Sequence, residues 1–507
     1  MTESITQTLD PRRWKALAFI ALAQLMVVLD GTIVNIALPS AQRDLGISDA
    51  SRQWVVTAYA LAFGGLLLFG GRIADRWGRR RAFMIGLVGF AGASALGGAA
   101  ANTGMLLGAR ALQGAFGAIL APAALSLLTV MFTQPKERAK AFGIFGAISG
   151  GGAAIGLILG GLLTEYANWR WTLFVNVFIA AIALAGAVFE IKEPVGSRNR
   201  DRLDIPGILL ASSGLAALVY GFSKAQTDGW SSATTLGFIA ASLALLAAFV
   251  VVQTRTKFPL LPLRVVLDRN RGGAYLTLGI AVVGMFGAFL FLTFYLQVVL
   301  HYSPVKSGLA FLPMVVGMLI GSTQIAVRLM PRVPARFLMA PGYLIAATAM
   351  VLMAQIKVGG SYATLILPAV FLLGLGMGLA FMAAMNLATL GVKPQDAGVA
   401  SAMVSTSQQV GGAIGTSLLS TIANSATATY AAAHLAGVHS PAAGQVLRAD
   451  SMVHGFSTAF WVAAGLLATA SVLAGLLINA GPQHGHVGRS GSEDPEGSAD
   501  AVLVFAH

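Results

Sequence analysis

The chain has 507 residues, 56% of them hydrophobic and only 10% charged, with a formal net charge of +13 and a mean hydropathy of +0.76. A soluble domain carries roughly 25% charged residues, so a soluble fold is excluded and the composition is that of an all-α polytopic membrane protein. The absence of cysteine also excludes disulfides, thiolate metal sites and cysteine nucleophiles, and the basic excess, dispersed over loops, reads as a membrane-orientation signal rather than a nucleic-acid footprint.

Residues 1–14 form a polar tail. Arg12 and Arg13 stand directly before a segment long enough to span, so this end reads as neither a cleaved signal peptide nor a twin-arginine signal. Apolar runs sufficient for a bilayer core of about 30 Å follow at 15–38, 55–74, 82–101, 105–131, 140–163 and 171–190. Two more lie at 204–224 and 233–253, and a last set at 273–299, 306–327, 336–356, 363–390, 398–424 and 455–479. An even number, fourteen, returns the chain to its starting side. That alternation places about 25 of the 33 basic residues on one side and about 7 on the other, which predicts that both termini are cytoplasmic.

The charged loops around Arg198–Asp204 and Arg255–Arg271 bracket the two central spans. They divide the chain into a first six-helix bundle over 15–190, two linking helices within 191–271, and a second six-helix bundle over 272–480. Equal six-helix halves are the pattern of transporters whose substrates bind near the midplane between repeats. The stretch 425–454 reads as an Ala-rich outer loop, and 481–507 as a disordered cytoplasmic tail in which His484 and His486 are solvated rather than metal-binding.

Two charges stand inside the apolar segments. Asp30 lies about 13 Å from the outer end of the first span and Arg110 about 8 Å into the fourth, at 1.5 Å per residue. Ionisable residues at membrane depth are costly, face cavities and mark ion or proton pathways. Burial favours the protonated carboxyl and a nearby arginine favours the carboxylate, so a conformational change can tip Asp30 between holding and releasing a proton. The structural alternative is a helix-to-helix hydrogen bond for Asp30 and backbone capping for Arg110. Gln24, Asn35, Gln113, Asn176, Gln297, Asn386, Gln408 and Gln409 are candidates to line a substrate route, interhelical bonding being the alternative for each. Phe286, Phe289, Phe291, Phe294 and Tyr295 offer an aromatic wall, or packing towards lipid.

Between the second and third spans runs Gly71-Arg72-Ile73-Ala74-Asp75-Arg76-Trp77-Gly78-Arg79-Arg80-Arg81. It is a tight turn in which Gly71 and Gly78 allow close backbone approach and Asp75 accepts from a helix N-terminus or an arginine. With this motif the chain resembles the major facilitator superfamily. Leu29-Asp30-Gly31-Thr32-Ile33-Val34-Asn35-Ile36-Ala37-Leu38-Pro39 is similar to the signature of its fourteen-helix drug:proton antiporters, and Arg110-Ala111-Leu112-Gln113-Gly114 resembles the family's basic motif for proton transfer. Gly152, Gly156, Gly160 and Gly161 fall where the family's antiporter motif packs the fifth helix. There Leu157 replaces the usual proline, and Phe178 replaces another after Asn176.

The resemblance implies a major facilitator fold and proton-driven export of hydrophobic or amphiphilic small molecules, such as drugs, dyes or antibiotics, across the cytoplasmic membrane. It assigns proton coupling to Asp30 and Arg110, and a cytoplasmic gate, contacting a helix that begins near Gly398, to Gly71, Asp75, Arg76, Gly78, Arg79 and Arg80. The partners are a small-molecule substrate, protons and the bilayer, a monomer being compatible with all of them. No cofactor is implied, and no P-loop, metal cluster or catalytic triad suggests an enzyme. A dedicated metabolite exporter, a proton-coupled importer and a non-transporting receptor or scaffold are the rival readings.

Overall fold

In an apolar solvent a helix survives because its backbone groups are satisfied within the segment, and the chain uses this solution throughout. The computed structural model describes residues 12–47, 54–191, 203–435 and 440–481. Helix α1 (Arg13–Leu45) runs through Pro39, beyond the expected end at 38, and stops at Gly46, whose φ of 61° is left-handed. It is followed by α2 (Trp54–Trp77), α3 (Arg79–Gly98), α4 (Thr103–Met131), α5 (Pro135–Tyr166) and α6 (Trp171–Glu190). The start of α4 is set by Asn102, which accepts from the Met105 N–H, and that of α5 by Pro135 in its first turn.

The linking helices are α7 (Ile205–Asp228) and α8 (Ala233–Arg255), capped by the side chains of Asp204 and Ser232. A second group comprises α9 (Arg269–Val299), α10 (Val305–Leu329), α11 (Arg336–Met353), α12 (Tyr362–Thr389), α13 (Ala397–His434) and α14 (Pro441–Leu477). The stretch 425–454 departs from its expected loop. Most of it continues α13 or begins α14 behind the Ser440 cap, because alanine is the strongest helix former. The segments 1–11, 192–202 and 482–507, and with them the expected C-terminal tail, lie outside the described residues.

Twelve helices among the described residues are long and apolar enough to cross a membrane. This makes the chain a multi-pass membrane protein, although the expected fourteen is not reached by that measure. The two outside the set, α5 and α13, have 32 and 38 residues and pack inside the assembly. In the first group α1 packs on α5 and α6, α2 on α4, and α3 on α4 and α6. In the second, α9 packs on α13 and α14, α11 on α12 and α14, and α10 on α12. The groups meet along two seams: α2 and α4 against α13, and α5 against α10 and α12. Helix α7 lies on the first seam, against α2 and α13, and α8 packs on α7.

Small residues make these approaches possible. On α5 the glycines four apart face α1: a Cβ on Gly152 would sit 3.1 Å from the Leu25 and Val28 side chains, and one on Gly156 would overlap Thr32 Oγ1. At Gly160 it would lie 2.8 Å from the Ile33 side chain and 3.3 Å from its backbone, and Gly161 is buried beside it. Both α5 and α6 run unbroken past Leu157 and Phe178, where the prolines are missing.

Adding a methyl at Gly160 therefore overpacks the α1–α5 contact. Overpacking costs about 1–3 kcal/mol, more than the roughly 0.5–1 kcal/mol that Gly→Ala returns in helix propensity. At Gly465, with nothing within 4 Å of its Cβ position, only the propensity gain applies. Thermal unfolding in detergent is expected to show Gly160→Ala melting below wild type and Gly465→Ala melting at or above it.

Candidate functional site

Asp30 sits where α1, α4 and α6 converge, with no exposed surface. Its carboxylate takes three hydrogen bonds. Arg110 Nη1 donates to Oδ2 at 2.6 Å, while Gln113 Nε2 and Asn176 Nδ2 donate to Oδ1 at 3.0 and 2.8 Å. Arg110 is held in turn by the Val55 carbonyl oxygen at 3.2 Å and Gln113 Oε1 at 2.8 Å, with its guanidinium 4.5 Å from the Tyr59 ring centroid. Ser94 on α3 closes the cluster, accepting from Gln113 Nε2 at 2.5 Å. All three of the hydrogen bonds at Asp30 run into the carboxylate.

The spacing of the sequence explains this convergence. Arg110 and Gln113 are three residues apart on α4 and so share a face, and Gly114 lets α2 approach until a Cβ there would overlap the Tyr59 carbonyl oxygen. Beside the cluster lies a cavity of about 780 Å³, to which Arg110, Tyr59 and Gly31 contribute from the first group and Phe286, Gln408 and Gln409 from the second. It occupies the half of the bundle away from the turn between α2 and α3. Arg110 lines it; Asp30 does not. A smaller space of about 200 Å³ adjoins it towards the middle, bordered by Gln24, Phe63 and Ser405.

The opposite face, which carries the α2–α3 turn, is closed. Asp75 is fully buried there and accepts from the backbone N–H groups of Gly398 at 2.8 Å and Val399 at 3.1 Å, the first turn of α13, and from Arg79 Nη2 at 3.1 Å. A carboxylate at a helix N-terminus meets both unpaired donors and the positive end of the dipole. Gly71 and Gly398 let the backbones touch: a Cβ on Gly71 would lie 2.5 Å from the Gly398 carbonyl oxygen. Gly78 turns the chain with a φ of 100°. Arg79 spans to Ser126 Oγ at 2.7 Å and to the Pro394 carbonyl oxygen. Arg80 caps α6 through the Ala187 and Val188 carbonyls, and Arg76 is half-buried.

The second seam closes by another buried arginine. Arg138 of α5 donates to Asn386 Oδ1 at 2.5 Å, Thr389 Oγ1 at 2.6 Å and the Thr129 carbonyl oxygen at 3.2 Å, all neutral acceptors. Asn386, proposed from its polarity as a cavity residue, is thus bound at the closed face and lines neither cavity. Gln113 and Asn176 likewise serve Asp30 rather than either cavity. Gln297, in a π-helical turn at the C-terminal end of α9, lines neither. Gln24 binds Ser149 Oγ at 3.2 Å and borders the smaller space, Gln408 borders both, and the Asn35 side chain lies outside the described residues.

Of the aromatic candidates, Phe286 reaches the cavity. Phe289 stacks on Phe311, Phe291 packs on Phe456 and Phe460, Tyr295 donates to the Lys357 carbonyl, and Phe294 is exposed. Ser94, Tyr59, Arg138 and Asp396 were missed by sequence reasoning. Asp396 is buried before α13, 2.7 Å from Arg264 and 3.8 Å from Arg72. Its place next to Gly398 was the one available signal.

The sequence matches the profile described as Major Facilitator Superfamily over residues 20–416. It is 51% identical over 495 residues to the puromycin resistance protein of Streptomyces alboniger, spanning 97% of this chain and 95% of that one. It is 40% identical over 420 residues to the cephamycin export protein of Amycolatopsis lactamdurans, spanning 81% and 85%. The fold is similar to the crystal structure of the human organic anion transporter TETRAN, with a TM-score of 0.63, 15% identity, and coverage of 92% of this chain and 99% of that one.

Two experiments follow from the geometry. Removing one partner of a buried ion pair costs about 3–5 kcal/mol because a charge is left unpaired. Asp30→Asn is therefore expected to melt well below wild type, and the double variant Asp30→Asn with Arg110→Gln to recover part of the loss in the same thermal assay. Asp75→Ala deletes the acceptor of two backbone N–H groups. Spin labels at the ends of α2 and α13 on the closed face are expected to show a longer-distance population in that variant, and an unchanged distribution would remove Asp75 from the closure.

Proposed function

The chain belongs to the major facilitator superfamily, and we propose that it is a proton-coupled antiporter that exports hydrophobic or amphiphilic small molecules, antibiotics among them, across the cytoplasmic membrane. Both chain ends then lie in the cytoplasm, the face closed by Asp75 and Arg138 is the cytoplasmic one, and the larger cavity lies towards the outside. The observation that carries the reading is Asp30: a buried carboxylate in a ring of donors, one of which, Arg110, also lines that cavity.

The coupling runs through Arg110. A proton arriving from the outside neutralises Asp30, which weakens its hold on Arg110 and places a donor among donors. The ring must rearrange, and the convergence of α1, α4 and α6 shifts with it. Substrate in the cavity meets the guanidinium and the Tyr59 ring while the carboxyl stays behind them, so proton and substrate communicate through a shared arginine. Loss of the proton to the cytoplasm restores the ion pair and readies the next cycle. Such a cycle requires the two states to differ in affinity for both ligands.

The relatives are named for single compounds, puromycin and cephamycin, which supports a second reading: a dedicated exporter of one antibiotic. A scaffold gains nothing from desolvated charges at this depth.

The test uses a pump-deficient host and everted vesicles with an acidified interior. Wild type is expected to raise resistance to a subset of a drug panel that includes puromycin, and each exported drug to dissipate the pH gradient. Asp30→Asn, checked for folded protein in the membrane, is expected to fall to the host background in both assays. Gradient-driven export that persists in that variant would falsify the proton role, and resistance to one compound alone selects the dedicated exporter.

A further inference from the structure

Helices α7 and α8 lie between the two six-helix groups in the chain, and a covalent spacer would be free to sit anywhere on the outside of the bundle. Helix α7 does not. It occupies the seam between α2 and α13, one from each group. The contact is close because α2 presents two consecutive glycines: a Cβ on Gly65 would lie 3.1 Å from the Ser212 carbonyl oxygen and 3.4 Å from Ala216 Cβ, and one on Gly64 would lie 3.4 Å from Val219 and 3.1 Å from Gln409 of α13. Three helices from three parts of the chain therefore meet at a single turn of α2. Nearer the outer face, Ser223 Oγ lies 3.3 Å from Thr57 Oγ1, and the turn after α7 is tied to α13 by Trp230 Nε1, which donates to Thr421 Oγ1 at 2.8 Å.

We propose that α7 is the third wall of the substrate cavity, and that Ser223 and Val219 help to decide which molecules the protein accepts. Both residues line the 780 Å³ space. The chemistry they face there is uncharged and polar. Thr57 and Ser223 share one hydrogen bond between two hydroxyls, which leaves a hydroxyl hydrogen and several lone pairs for a ligand. Gln408 and Gln409, on the neighbouring wall, make no side-chain hydrogen bond among the described residues. This side of the cavity therefore suits neutral hydroxyl, carbonyl and amide groups, with the cation of Arg110 and the Tyr59 ring across from it and Val219 and Phe286 bounding the apolar volume. A molecule carrying several such groups on an apolar frame fits; a compact permanent ion finds no counter-charge on the α7 side. In this arrangement the linking pair makes part of the binding site, and α8 backs it towards the lipid.

The proposal rests on the cavity being the substrate route of the export reading, and the test separates the two. The chain has no cysteine, so Ser223→Cys supplies its one thiol with a near-isosteric change. A membrane-impermeant thiol reagent applied from outside is expected to label it, and a drug that wild type exports is expected to slow labelling several-fold. Ser231→Cys, in the exposed turn after the same helix, is expected to be labelled without such protection. Val219→Trp, which narrows the space, is expected to lower resistance to the bulkier exported drugs more than to the smaller, reordering the panel without abolishing it. Should Ser223→Cys fail to reach the membrane, Val219→Cys takes its place in the labelling assay. Unprotected labelling, together with an unchanged order of drugs in Val219→Trp, in protein that still exports, overturns the role of α7. A wild-type protein that confers no resistance overturns the export reading instead.

Discussion

A carboxylate kept from water holds its charge only while donors surround it, and the first half of this molecule is arranged around that requirement. The donors for Asp30 come from α4 and α6, and the nearest of them is also anchored to the Val55 carbonyl at the head of α2. One side chain on α1 thus sets the relative positions of three other helices. The three hydrogen bonds at Asp30 all run into its carboxylate, from side chains on two other helices. Any change at this carboxylate is therefore felt by helices that reach the cavity, although Asp30 itself does not line it.

The closed face shows the same physics put to a different end. Two seams separate the groups, and buried charged side chains cross both: Asp75 and Arg79 on the α2–α13 side and Arg138 on the α5–α12 side. The acid finds a helix N-terminus and an arginine. Arg138 finds an amide, a hydroxyl and a carbonyl, with no carboxylate among them. Asp75 and Arg138 each keep one bond within their own group, from Arg79 to Asp75 and from Arg138 to the Thr129 carbonyl, but parting the groups strips the rest, and water must take over the donors and acceptors left behind. The glycines at the contacts supply the other condition, because hydrogen bonds to main-chain atoms require backbones that come this close.

Much of this was legible in the sequence where a rule of the solvent applied. Apolar run length located the helices, twelve of them long and apolar enough to cross a membrane, and the cost of charge at depth singled out Asp30 and Arg110. The Gly71-to-Arg81 motif pointed from Asp75 to the neighbourhood of Gly398. Illegible features were those whose meaning depends on which helix lies opposite. Ser94 and Tyr59 are ordinary in an apolar segment until Gln113 and Arg110 are set beside them. Arg138 looked like one more orientation charge at a loop, and Asn386 like a polar candidate for a cavity, yet each is the other's partner. The outer stretch 425–454 misled for another reason: alanine is apolar enough neither to announce a span nor to rule one out, while its helix propensity extends both neighbours.

The bonds of Asp75 to α13 end on main-chain N–H groups, and that has a genetic consequence. A side-chain partner can be lost by many codon changes, whereas an amide hydrogen persists through any substitution except proline. On the α13 side these two bonds are therefore nearly silent to mutation, apart from Gly398, where there is no room for a β-carbon. The burden of inheritance falls on the other side, on Asp75 and Gly71. The two ends of the same contact thus differ in what a point mutation can do to them.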